Sequence, residues 1–428
     1  MQDFINAAFL LILCMCSVYI GRKIGFSQIF SLRKMLLGIK KINSDDKLSV
    51  VKSLTNSLAS TLGVGNIVGV ASAIALGGYG SIFWMWVGAI LLLPVKYSEV
   101  FLSMIYRKKN ACGYYGGPMY YIEKTKPLGR KFALAFSILC IVASFFIGNM
   151  LQTSSAANAL FEVFGLDMRA VAFVFFIITF IVTLAGFGTL SNFTLLVIPV
   201  ASFIYIALSL YVILANVALL PAVFLRIFEE ALDIKSVFCG SASALLLSIR
   251  HGITKGIMSN EAGCGTSPIA HAASDNKDYR SQSFLGVFEV IADTLIMCTL
   301  SALVILIADQ KYGLKMNGPI DTVIIAYSAF FGRFAEYFIG SSVFVFAIST
   351  VISWSNYASR SIYYISPKNY KILNTIYLTL YAASCLFAIR MTDKSIIEIT
   401  DYINVMMVGI NITALIANQK IIRDKSRL

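Results

Sequence analysis

Apolar residues fall along this chain in blocks of about twenty, the length a helix needs to cross ~30 Å of hydrocarbon, and short polar stretches separate them. Within a block the apolar positions are continuous. A transmembrane β-barrel is therefore excluded, because its strands would alternate apolar and polar. The pattern predicts eleven helical spans, at residues 4–20, 53–77, 81–105, 131–152, 170–186, 193–215, 241–270, 283–308, 338–359, 372–389 and 397–417. Between the eighth and ninth, "GPIDTVIIAYSAFFGRF" (Gly318 to Phe334) is amphipathic and too short to span, and it predicts an outer helical loop. Residues 107–131 form a loop holding "GYYGGPMYYIEK", patterned too regularly for a simple linker, although no chemistry follows from it.

Two of the spans carry helix breakers. The second contains "GVGNIVG" (Gly63 to Gly69) and the seventh "NEAGCGTSPIA" (Asn260 to Ala270). An offset of five spans reverses direction through the membrane, and matched breaks in two oppositely directed halves point to an inverted-repeat transporter with a midplane site. The expected fold is all-α, with about eleven transmembrane helices arranged as one extra helix plus five plus five. The expected organisation is 1–52 for the first helix and a basic loop, 53–216 and 217–418 for the two repeats, and 419–428 for a basic tail.

Composition agrees with a membrane protein: 58% of residues are hydrophobic, 13% are charged, and the mean hydropathy is +0.78. The net charge of +13 does not indicate nucleic acid, because the basic residues lie between apolar blocks and build no basic domain. It indicates orientation instead. With the N-terminus outside and the C-terminus cytoplasmic, 24 of the 35 Lys and Arg fall in cytoplasmic segments and 8 in outer ones. Lys96, Arg250 and Lys255 fall within spans. The first block follows Asp3 and precedes "GRK", which fits a retained helix rather than a signal peptide. The eight cysteines form no CxxC or Cys/His cluster, so neither a metal site nor a disulfide framework is expected.

An unwound helix persists in lipid only where its freed backbone groups face protein or a polar cavity. Around Gly63, Gly65 and Asn66, freed carbonyls suit a cation, and freed amides at the start of the next half-helix suit a carboxylate. Gly65 and Gly69 also read as a GxxxG packing motif. Asn260 and Gly263 belong to the second break, which is otherwise a cytoplasmic loop beyond a shorter span. In "AISTVISWSNYASRS", Ser349, Thr350, Ser353 and Ser355 either bond neighbouring carbonyls or coordinate a cation. Trp354 beside them is an interfacial anchor or a pocket wall. Asn149 and Gln152 in "GNMLQ" stand three apart on one helical face, and Gln152 suits the ammonium or carboxylate of a small solute. Glu289 and Asp293 are acids four apart within a span, functional candidates by position. Lys96 and Glu99 read as a local ion pair, and His251 and His271, with no carboxylate beside them in sequence, as structural. No nucleophile with a base is visible, so an enzyme is not expected. A channel is disfavoured by the lack of any charge ring or filter loop.

Taken together and in order, "GVGNIVGVASAIALGGYGSIFWMWVGA", "GGPMYYIEK", "GNMLQ", "KGIMSNEAGCGTSPIAHAA" and "STVISWSNYASRS" resemble the sodium:alanine symporter (alanine or glycine:cation symporter) family over residues 55–361. The resemblance implies a LeuT-type inverted repeat, alternating access, and Na⁺-coupled uptake of alanine or glycine across the cell membrane. Na⁺ would be the coupling ion, with no cofactor. Carried over by position, it implies substrate contacts from Gly63, Gly65, Asn66, Gln152, Asn260, Gly263 and Trp354, and sodium contacts from Asn66, Ser349 and Thr350. This chain departs from the family pattern at Val64, where Thr is frequent, and at "GCGTSP", where "GMGSAP" is commoner. A functional monomer is expected. The alternative is a proton-coupled or facilitative carrier in which Glu289 or Asp293 titrates.

Overall fold

The computed structural model describes residues 2–25, 44–111, 113–126, 128–185, 187–232, 242–316, 318–391 and 393–427, and nearly all of them are helical. The basic cluster Arg33, Lys34, Lys40 and Lys41 and the outer Lys235 lie outside the described residues, as do Cys112 and Cys239.

Helices occupy each of the eleven predicted stretches. An extra helix α1 (Gln2–Ile24) precedes a broken pair, α2 (Ser44–Thr61) and α3 (Val68–Gly77), and then α4 (Gly80–Tyr106). A two-stranded antiparallel hairpin, β1 (Lys108–Asn110) and β2 (Gly113–Tyr115), and the short α5 (Pro118–Lys124) fill the 107–131 loop. Next come α6 (Gly129–Phe164), α7 (Met168–Ala185) and α8 (Phe187–Ala215). The outer α9 (Leu220–Ala231) leads to a second broken pair, α10 (Ala242–Asn260) and α11 (Ser267–Ala272). The chain ends with α12 (Tyr279–Tyr312), α13 (Pro319–Phe331), α14 (Arg333–Ile365), α15 (Tyr370–Ala388), α16 (Asp393–Ala417) and α17 (Gln419–Arg427). A broken helix followed by four unbroken ones thus occurs twice, and α13 is the predicted outer helix.

Local chemistry sets the ends. Left-handed Gly165 (φ 65°) and Gly313 (φ 66°) stop α6 and α12, the role for which a residue without Cβ is suited. Asp278 caps α12 by accepting from the Arg280 amide at 3.0 Å. Two long helices carry wide π-type turns, Ser144–Met150 in α6 and Ile291–Cys298 in α12. Such turns inside α-helices are frequent at functional sites.

Seven of the described helices are long and apolar enough to cross a membrane. Large apolar side chains point outward from α8 and α15, with Phe203 72%, Leu214 69% and Ile372 68% exposed. In water so many exposed apolar groups would be a liability; a bilayer covers them. The broken pairs lie inward, with α10 against α3 and α4, and α14 against α2 and α6.

Gly252 permits the closest of these approaches. A Cβ there would sit 2.2 Å from the Ser81 carbonyl oxygen and 2.8 Å from the Trp84 Cβ, whereas one on Gly409 would meet nothing within 4 Å. We expect Gly252→Ala to destabilise the purified protein by about 1–3 kcal/mol through overpacking. Gly409→Ala should be neutral or stabilising by up to about 1 kcal/mol. Thermal melting in detergent decides; equal melting of the two variants would remove this account of the α4–α10 contact.

Candidate functional site

The first break begins where α2 runs into Gly63. Instead of continuing the α-helical ladder, the Gly63 amide donates to the Thr61 carbonyl at 2.8 Å and to Asn66 Oδ1 at 3.0 Å. The Val64 amide donates to Gln152 Oε1 at 3.3 Å. The Ala59 carbonyl, the ordinary acceptor for Gly63, accepts instead from the hydroxyls of Ser349 and Thr350, each at 3.3 Å. Residues 64–66 make one 3₁₀ turn before α3 starts.

The second break is sharper. Glu261 (φ 55°) is the one non-glycine with positive φ among the described residues, and Gly263 (φ 90°) and Gly265 (φ 78°) follow it. Positive φ strains a residue with a Cβ, so the surroundings must hold Glu261 in place. Thr266 Oγ1 donates to Glu261 Oε2 at 2.5 Å, and the Ala262 amide donates to Asn260 Oδ1 at 2.9 Å. The carbonyls of Asn260 and Gly263 accept from Lys96 Nζ at 3.0 Å and Asn411 Nδ2 at 2.8 Å.

The two breaks meet. Asn66 Nδ2 reaches Ser259 Oγ at 3.0 Å and Asp293 Oδ1 at 2.6 Å, and a Cβ on Gly65 would lie 3.4 Å from the Ser259 Cα. The 107–131 loop braces the far side. Arg107 donates to the carbonyls of Ser274 (2.5 Å) and Asn276 (2.7 Å), while Pro118 sits against Gly265 and Ile269 against Gly117. This buttressing accounts for the regular pattern of "GYYGGPMYYIEK".

Beside the junction lies a cavity of ≈ 90 Å³. That is several times the about 15 Å³ that one water needs, so the cavity has room for a small solute. Gly63, Gly65, Gln152, Thr350 and Trp354 line it. Gly63 is where they converge, since a Cβ on it would come 2.7 Å from Thr350 Oγ1 and 3.3 Å from Gln152 Oε1. Gly148 clears room for Trp354, whose Cβ would lie 2.4 Å from a Cβ there. Asn66, Asn260, Gly263 and Ser349 stand behind the cavity wall. Asn66 joins the two breaks, Asn260 Nδ2 donates to Thr294 Oγ1 at 3.0 Å, and Gly263 packs towards Val408. Sequence reasoning did not place Lys255 and Glu261 at the cavity, though both line it. The signal was available in the "RHGITKG" and "NEAG" stretches, where charges sit inside an apolar span.

Three local expectations change. Lys96 does not pair with Glu99. Its ammonium contacts Glu289 Oε1 at 3.2 Å, with both side chains fully buried, and Glu99 instead accepts from Asn411. Spacing along α4 favoured the local partner, but packing turned Lys96 towards α12. His271 has no carboxylate nearby in sequence, yet its Nε2 lies 3.0 Å from Glu289 Oε2. Gln282 Nε2 meets His271 Nδ1 at 2.9 Å, which leaves Nδ1 the acceptor and Nε2 the donor. Asn149 and Gln152 serve different partners. Asn149 donates to the Tyr381 carbonyl at 2.6 Å on α15, while Gln152 Nε2 donates to the Ile147 carbonyl, five residues back in the wide turn, at 3.2 Å.

The description "Sodium:alanine symporter family" belongs to the family whose model matches residues 1–427. The chain is similar to the sodium/alanine symporter AgcS of Methanococcus maripaludis, 33% identical over 85% of this chain and 82% of that one. It is also similar to the amino-acid carrier protein AlsT of Bacillus subtilis, 30% identical over 100% and 91%. Among solved structures it resembles a Na⁺-coupled sialic acid symporter in a substrate-bound outward-open state, with a TM-score of 0.57 over 96% of this chain and 85% of that one. At 12% identity this last likeness concerns the fold alone.

Glu289 accepts at Oε2 from Ser57 (2.7 Å), Ser267 (3.0 Å) and His271, and at Oε1 it meets Lys96, the one lysine or arginine paired with it among the described residues. Removing one partner of a buried pair costs about 3–5 kcal/mol, because the other charge is left uncompensated. Lys96→Met should destabilise the protein by roughly that amount, and Lys96→Met with Glu289→Gln should recover most of it. Melting of purified variants checks this; a wild-type melt for Lys96→Met would sink it.

Proposed function

This chain belongs to the sodium:alanine symporter family, a family of transporters and not of enzymes, and from that premise we propose that it carries alanine or glycine into the cell with Na⁺ by alternating access. The observation that carries the proposal is the first break. There the freed Ala59 carbonyl and the hydroxyls of Ser349 and Thr350 gather three neutral hard oxygens one side chain away from the cavity. Sodium favours such oxygens. It would bind there, and the amino acid would occupy the cavity between Gly63, Gln152 and Trp354. The carboxylate would face the start of α3, where the half-helix dipole favours negative charge.

In this reading Asn66 acts indirectly: its carboxamide fixes both breaks at once, with Oδ1 on the Gly63 amide and Nδ2 on Ser259 and Asp293. Asn260 and Gly263 likewise hold the second break rather than touch the solute. The repeats run over 53–216 and 217–418, and the protein works as a monomer in the cell membrane, N-terminus outside and C-terminus cytoplasmic. Transport further requires that the ion and solute bind the two access states unequally, since equal affinity would shift no population.

Proteoliposomes with an imposed inward sodium gradient and labelled alanine test the proposal. Concentrative uptake that collapses without the gradient is expected. Uptake indifferent to sodium but driven by a pH step would overturn it in favour of a proton-coupled carrier. Thr350→Ala, which removes one oxygen worth about 1.5 kcal/mol, should raise the sodium concentration for half-maximal uptake roughly tenfold. Gln152→Ala should act mainly on alanine affinity. A wild-type sodium dependence in Thr350→Ala would remove the ion assignment.

A further inference from the structure

Two charged side chains line the cavity, Lys255 on α10 and Glu261 at the second break, and their surroundings differ. Glu261 is held within its own turn by Thr266. Lys255 is 6% exposed, and the hydrogen-bond acceptor of its Nζ is the Met258 thioether sulfur at 3.9 Å. A thioether is a weak acceptor, whereas an ammonium presents three N–H donors. Burying a cation without an anion or oxygen partners is costly. Asp401 on α16 is the acid whose field reaches Lys255, and Arg250, five residues earlier on α10, opposes it. No ion pair joins Lys255 to Asp401 among the described residues, and Asp401 Oδ1 has no hydrogen-bond partner of its own. Among the described residues, then, no oxygen is a hydrogen-bond partner of the Lys255 ammonium, and the residue borders the cavity.

We infer that Lys255 is a specificity-determining residue of the transport site: it meets a carboxylate of the bound solute, so that the cavity admits small solutes with a free carboxylate and rejects amines that lack one. The inference rests on the cavity being the transport site. Lys255 lines the same cavity as Gly63, Gln152 and Trp354, the residues proposed to hold the solute. A zwitterion such as alanine brings an anion to it. Alaninamide, of nearly the same shape, brings only a like charge.

The test is competition against labelled alanine by L-alanine, L-alaninamide, propionate and ethylamine on the purified full-length protein. Wild type, Lys255→Met, Lys255→Arg and Asp401→Asn are compared. The wild type should prefer alanine to alaninamide by at least a hundredfold. Lys255→Met should shrink that ratio at least tenfold, while Lys255→Arg keeps it and Asp401→Asn leaves it within twofold. An unchanged ratio in Lys255→Met overturns the inference. So does Asp401→Asn reproducing the Lys255→Met change, because Asp401 would then be the partner. If Lys255→Met does not fold, the wild type still decides, since ethylamine competing as well as propionate overturns the inference. Failure of the functional reading looks different: direct binding of propionate or lactate that Lys255→Arg preserves, with no binding of alanine or glycine, would sink amino-acid transport and leave the Lys255 assignment standing.

Discussion

The constraint on which this structure depends is the satisfaction of backbone groups freed inside an apolar environment. Each unpaired amide or carbonyl in hydrocarbon costs several kcal/mol, so a helix that unwinds there must recruit partners from elsewhere in the fold. Both breaks do. At the first, Gln152, Asn66, Ser349 and Thr350 take over the amides and carbonyl that α2 releases. At the second, Lys96 and Asn411 take over the carbonyls of Asn260 and Gly263. Apart from Asn66, which is local to the first break, these partners come from α4, α6, α14 and α16, so unwinding two short segments fixes how four other helices must pack.

The same constraint explains why ionised groups are buried here. Lys96 donates to a freed carbonyl and carries a charge with it, and Glu289 balances that charge. Glu289 in turn collects Ser57 before the first break and Ser267 and His271 after the second. A single carboxylate thus ties both broken helices to α4 and α12. As a source of net stability such a pair is weak, since desolvation offsets much of the attraction. As a constraint on geometry it is strict, because displacing any one member leaves a buried polar group unmatched.

The helices were legible in the sequence because apolar blocks of spanning length have one stable form in lipid. The breaks were legible because Gly, Asn and Pro cluster in few other places in the apolar blocks. Partnerships across the fold were not. Lys96 and Glu99 stand three apart and satisfy the usual helical pairing rule, yet tertiary packing sends Lys96 to Glu289, far away in the chain. The different partners of Asn149 and Gln152 were hidden for another reason: a wide π-type turn over Ser144–Met150 lets Gln152 reach the Ile147 carbonyl five residues back, and no periodicity argument based on 3.6 residues per turn contains it. Lys255 was visible as a charge within a span, but only the cavity gives that charge a direction.

In the proposed mechanism, Thr350 is where ion and solute become one problem. Its hydroxyl reaches the Ala59 carbonyl and also borders the cavity, within contact distance of the position a side chain on Gly63 would take. An ion held by the Ala59 carbonyl and that hydroxyl would fix the Thr350 rotamer, and with it the wall against which the solute rests. The first ligand would then bear the cost of ordering that the second would otherwise meet. Coupling between two sites is reciprocal, typically about 1–3 kcal/mol, so sodium would tighten solute binding by the same factor as the solute tightens sodium. Glycine at position 63 is a condition of this arrangement, because any Cβ would push the hydroxyl away from the carbonyl and separate the two sites.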